Sequence, residues 1–112
     1  MELIEKLRSL DSDSSLGAIQ SYVNEMIPAR GFSDETLQEV MILLTEEVGE
    51  LAKEVRKLSR MKIDANASRE CAIGGEIADV FLYLLAMCRV LDLDLFELFM
   101  EKELKNSTRV WI

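Results

Sequence analysis

Residues 37–60 read LQEVMILLTEEVGELAKEVRKLSR, and this stretch decides the fold. Leu37, Val40, Leu44, Leu51, Val55 and Leu58 recur at steps of three and four, or their multiples, the spacing of one helix face. Ser33-Asp34-Glu35 supplies a helix start, with a capping serine and acids in the first turn. One long helix is therefore expected from there to about Arg60. Outward from it, Leu16, Ile19, Val23 and Ile27 predict a helix ended near Pro28 and Gly31. Leu3, Ile4, Leu7 and Leu10 predict a shorter one, with a polar break at Asp11 to Ser15. On the other side, Met61 to Ser68 reads as a loop, with Asn66 or Ser68 capping a helix that runs to about Leu91. Asp94 with Glu97 resembles a capping box for a last helix, Leu95 to about Asn106. No segment alternates strictly enough for a strand. One domain over residues 1–112 is expected, an all-α helical bundle of four to five helices.

Composition narrows the function. Hydrophobic residues make up 49% and charged residues 30%, which suits a globular chain and not a disordered one. The longest apolar run, Val80 to Cys88, is too short to cross a bilayer. Met1 to Leu10 carries Glu2, Glu5, Lys6 and Arg8 and does not read as a signal peptide, so a cytoplasmic location is expected. Cys71 and Cys88 lack metal-ligand spacing and read as small buried hydrophobes. A net charge of -8 argues against binding a nucleic-acid polymer. A small phosphate ligand remains compatible where divalent cations bridge it to carboxylates. There is no histidine, which removes His-ligated zinc and His-activated nucleophiles.

Glu47 interrupts the apolar line of the long helix at a position that should face the core. Glu50 lies one turn on, and Glu46 and Glu50 are i, i+4 neighbours. Three acids within five residues repel one another unless something positive lies between them. The next helix repeats the pattern, with Glu76 and Asp79 just before the apolar run of Val80 to Cys88. Charges at the edge of a core must be paired or bind metal. Two carboxylate pairs on facing helices offer oxygen donors suited to Mg²⁺ or Mn²⁺ carrying substrate phosphates. The bland alternative is a set of solvated or salt-bridged surface acids. Gly49 also stands out, because a glycine in a helix interior costs about 1 kcal/mol relative to alanine. Close helix packing is its favoured reason.

Glu46-Glu47-Val48-Gly49-Glu50 followed by Glu76-Ile77-Ala78-Asp79 resembles the E-E-x-x-E … E-x-x-D signature of the MazG-like nucleoside triphosphate pyrophosphohydrolases. Twenty-five residues separate Glu50 from Glu76, enough for two antiparallel helices and their loop. Lys102, Asn106 and Arg109 resemble the family's K-x-x-x-N-x-x-R pattern, and Arg30-Gly31-Phe32 its leading turn. The resemblance spans about residues 16 to 111. It implies hydrolysis of a nucleoside triphosphate between the α and β phosphates, with Glu47, Glu50, Glu76 and Asp79 as Mg²⁺ ligands. Glu46 or Glu47 is then the candidate to take the proton of the attacking water. Lys102, Asn106 and Arg109 are the candidates to bind phosphate.

Two rival readings are weighed. Phosphoribosyl-ATP pyrophosphohydrolases share the bundle but typically carry a histidine just after the aspartate-led segment, where Leu84 follows Tyr83 here. A non-catalytic helical adaptor explains the bundle and leaves the acids in both apolar stripes unexplained. Val80 to Cys88 is apolar around the whole helix, and Leu95, Phe96, Leu98, Phe99 and Met100 add a second cluster. A homodimer or homotetramer is expected to complete the bundle.

Overall fold

A computed structural model describes residues 2–112; Met1, the first residue of the expected leading segment, lies outside them. The described residues form five helices and no strand. They are α1 (Leu3–Arg8), α2 (Leu16–Ala29), α3 (Leu37–Leu58), α4 (Ile73–Leu91) and α5 (Leu95–Asn106). The antiparallel pair of α3 and α4 is the spine. α2 packs across α4, while α1 and α5 both rest on α2.

Local chemistry sets most boundaries. Ser15 Oγ accepts the Ala18 N–H at 3.0 Å and starts α2. At its far end Gly31 takes φ of 84°, so the Phe32 N–H can return to the Ile27 carbonyl at 3.1 Å. α3 starts later than the Ser33 cap suggests. Thr36 is its cap, its Oγ1 accepting the Glu39 N–H at 3.2 Å. Asp94 caps α5 as expected, with Oδ1 accepting the Glu97 N–H at 2.9 Å.

The start of α4 is a correction. Neither Asn66 nor Ser68 caps it; the helix begins at Ile73, after the N-cap Ala72. The cap comes from another helix, since Glu54 Oε2 of α3 accepts the Ala72 N–H at 3.0 Å. Gly74 and Gly75 in the first turn give α4 little local preference to begin earlier.

The core joins Tyr22, Val23, Met26 and Ile27 of α2 to Val40 of α3 and to Leu85 and Ala86 of α4. Burying side chains such as Leu85 and Val23 contributes roughly 1.5–3 kcal/mol each. Gln20 is a buried polar residue in this region. Its Nε2 donates to the Leu93 carbonyl at 2.7 Å, and its Oε1 accepts the Leu95 N–H at 2.9 Å. That clamp fixes the turn from which α5 departs. The core is small for the chain. Ile77 and Leu84 of the apolar helix α4 stay exposed, as do Phe96, Phe99 and Leu104 of α5. The radius of gyration is 17.1 Å, against about 13 Å for a compact chain of this length.

Candidate metal and substrate site

The α3–α4 pairing brings three of the sequence-marked acids together. Carboxylate oxygens of Glu47, Glu76 and Asp79 lie within 4.8 Å of one another. The i, i+3 spacing of Glu76 and Asp79 puts both on the side of α4 that meets α3. Glu47 stands on the α3 face that also carries Val40 and Leu44, and it is half-buried with Glu76. Glu46 and Glu50 are exposed on α3, beside Glu47 in sequence but outside the cluster. Lys102 and Arg109 are exposed on α5 and the C-terminal tail, and Asn106 is half-buried. Arg109 lies over the Trp111 ring, 6.0 Å from its centroid.

No salt bridge reaches the three clustered acids among the described residues. Glu76 Oε2 is buried and has no hydrogen-bond partner. The Glu47 carboxyl is pushed above the usual range for glutamate. Burial is the first cause, then the charge of Asp79, the close approach of Glu76, and Glu46. An orphaned buried oxygen amid an all-carboxylate donor set fits a hard divalent cation.

A cavity of about 170 Å³ adjoins the cluster at Asp79. Its walls are Met26, Ile27, Phe32 and Leu82, with Arg30, Glu35 and Tyr83 as its polar groups. The Tyr83 hydroxyl is held above its ordinary pKa by burial, then by the charges of Glu35, Glu47, Asp79 and Glu46. It therefore stays a protonated donor beside the acids. Arg30 is the one cation lining this cavity.

The model of the MazG nucleotide pyrophosphohydrolase domain matches residues 35–110. The chain belongs to the MazG family. The match covers α3, α4 and α5, so the metal-type cluster and the Lys102, Asn106 and Arg109 set all fall inside the MazG domain. No curated protein and no solved structure matches the chain. In this MazG domain one further acid is structural. Glu54, two turns after Glu47, is buried and ties the helix pair together. A signal existed: Glu54 interrupts the inner face as Glu47 does, with Lys57 three residues on.

Proposed function

We propose that the protein is a Mg²⁺-dependent nucleoside triphosphate pyrophosphohydrolase that cleaves between the α and β phosphates, releasing nucleoside monophosphate and pyrophosphate in nucleotide-pool housekeeping. The convergence of Glu47, Glu76 and Asp79 beside a cavity carries the reading. Glu47, Glu76 and Asp79 are the residues that would hold Mg²⁺, with Mn²⁺ as a substitute, and Glu50, exposed one turn along α3 and outside that cluster, is the fourth candidate. When bound, the ion neutralises phosphate oxygens and lowers the pKa of a water. The clustered carboxylates and a net charge of -8 disfavour a bare triphosphate, and such an ion would offset that repulsion.

The chain's own groups divide the remaining work. Glu46 or Glu47 accepts the proton of the water that attacks the α phosphorus. In the metal-free site, burial and then the neighbouring acids hold the Glu47 carboxyl above its usual range. The bond from the α phosphorus to the bridging oxygen then breaks, and pyrophosphate leaves. The cavity walled by Met26, Ile27, Phe32 and Leu82 takes the nucleoside part, with Tyr83 as a donor at its acid end. Lys102, Asn106 and Arg109 bind phosphate oxygens. Lys102 on α5 and Arg109 on the tail behind it are exposed, and in the homodimer or homotetramer we propose they would serve, with Asn106, a site shared between subunits.

A nucleotide panel with Mg²⁺ tests the reading. Pyrophosphate and monophosphate are the expected first products. With ¹⁸O-labelled water the label belongs in the monophosphate. Orthophosphate as the first product would overturn the assignment, as would full activity in excess chelator.

A further inference from the structure

We propose that Gln20 of α2 is a positioning residue that aims α5, and with it Lys102, Asn106 and Arg109, at the phosphates of the substrate. The proposal rests on the phosphate-binding reading of those three residues and adds what holds them in place.

Little else fixes the direction of α5. Among the described residues, no α5 side chain is buried. Leu95, its first residue, packs half-buried against the core, and the helix rests on α2. The turn that launches it is three residues long, Asp92 to Asp94. Asp92 takes φ of 53°, a left-handed conformation unfavourable for a residue with a side chain. The Leu93 N–H returns to the Cys88 carbonyl at 2.9 Å and closes α4. That leaves the Leu93 carbonyl and the Leu95 N–H to be satisfied, the latter at a helix start where no intrahelical acceptor exists.

Gln20 meets both. Its Nε2 donates to the Leu93 carbonyl at 2.7 Å, and its Oε1 accepts the Leu95 N–H at 2.9 Å. One planar amide thus grips the residue before Asp94 and the residue after it. The side chain is 6% exposed, so water does not stand in for either bond. Only an amide offers a donor and an acceptor on one carbon here; a carboxylate has no donor to give. The binding candidates lie far out on the helix that this grip directs. Lys102 stands seven residues beyond Leu95, about 10 Å along the axis, so a tilt of roughly 6° displaces it by about 1 Å. Asn106 and Arg109 move further. Misplacement of about 1 Å is enough to cost a binding or reacting group most of its effect.

Steady-state kinetics with Mg²⁺ and a nucleoside triphosphate, and calorimetry with Mg²⁺ and pyrophosphate, test the aim of α5. Gln20→Glu keeps the size and the acceptor and loses the donor. It should raise KM, and the Kd for pyrophosphate, about 10-fold with a smaller change in kcat, the scale of one misplaced charge-assisted hydrogen bond. Lys102→Ala should show the same split. The double variant should lose less than the product of the two, because both act through α5. Val40→Ala, in the core on α3, should lower the melting temperature and leave KM and Kd alone. Should Gln20→Glu not fold, Gln20→Met, which keeps the bulk and loses both bonds, carries the comparison. A folded Gln20 variant with unchanged KM and Kd, while Lys102→Ala raises them, overturns the proposal and leaves the phosphate reading intact. An equal rise in Val40→Ala overturns it as well, as do losses that simply multiply. If Lys102→Ala and Arg109→Ala change neither constant, the proposal falls together with the phosphate reading.

Discussion

Glu47 and Glu54 are the same residue type on the same face of one helix, two turns apart, yet their surroundings are opposite. Glu54 is fully provided for. Lys57 Nζ donates to it at 3.1 Å and the Ala72 N–H at 3.0 Å. The same Lys57 also donates to the Glu70 carbonyl at 3.0 Å, so one ion pair pins the end of the α3–α4 loop. Accordingly the Glu54 carboxyl is held below its usual range, first by the Ala72 N–H and then by Lys57. Glu47 has only acids for company, and its carboxyl is pushed up. A partnered carboxylate at a core edge is part of the scaffold. An unpartnered one, clustered with others, is a place for something absent from the chain itself.

The largest effect that separates the two is on catalysis. Glu76→Gln and Asp79→Asn should each lower pyrophosphate release by about 100-fold or more, since a misheld ion forfeits several kcal/mol of transition-state stabilisation. Glu54→Gln should leave the activity of the folded enzyme intact. Steady-state kinetics with Mg²⁺ decide this. A Glu54→Gln enzyme as dead as Asp79→Asn would erase the distinction.

Stability should rank the same variants in reverse. Glu54→Gln removes a carboxylate that holds an ammonium group and caps α4, and the melting temperature should fall by several degrees. Glu76→Gln without cation relieves repulsion, and its melting temperature should hold or rise. Mg²⁺ at about 100 times its dissociation constant should stabilise the wild type by about 2.7 kcal/mol and Glu76→Gln much less. Thermal melts with chelator and with Mg²⁺ at fixed protein concentration measure both arms.

The pH dependence sharpens the contrast further, because the two shifts have opposite signs. Glu54 has a lowered folded-state pKa. Its contribution is present above the unfolded glutamate value of about 4.3 and is lost as pH falls through the lower folded value. The difference in melting temperature between wild type and Glu54→Gln should therefore shrink in acid. Glu47 has a raised folded-state pKa. Its contribution is full below about 4.3 and disappears as pH rises through the raised value. In chelator, wild type should match Glu47→Gln in acid and fall below it toward neutral pH. Melts from acid to neutral check both curves, and parallel curves would contradict the pairing scheme.

The comparison also marks what the sequence made legible. Five helices follow from apolar spacing, and the Asp94 cap from four consecutive residues, because both are local features. Glu47, Glu76 and Asp79 could be singled out as acids breaking apolar stripes on helices long enough to pair. The start of α4 was not legible, since its cap is the Glu54 carboxylate, 18 residues earlier in the chain. Glu54 itself hid for the same reason, because its partners become neighbours only after α3 and α4 align. Thr36, and not Ser33, caps α3 in a run where either hydroxyl was available.

The smallest expected effect tests whether burial, and not pairing as such, gives the Glu54 site its weight. Lys105 and Glu101 on α5 also form an ion pair, at i, i+4 and 3.7 Å, with both side chains about two-thirds exposed. The Lys57–Glu54 pair has side chains only 12% and 8% exposed. In water the attraction of the outer pair is largely screened, and holding two long side chains together costs entropy. Glu precedes Lys there, the better orientation on a helix, but the gain is small. Lys105→Ala should therefore change stability by no more than about 0.5 kcal/mol, and less still at high salt. Denaturant melts at low and high salt give the measurement. A loss as large as that of Glu54→Gln would mean that pairing alone carries the stability, and the contrast between buried and exposed acids in this protein would have to be abandoned.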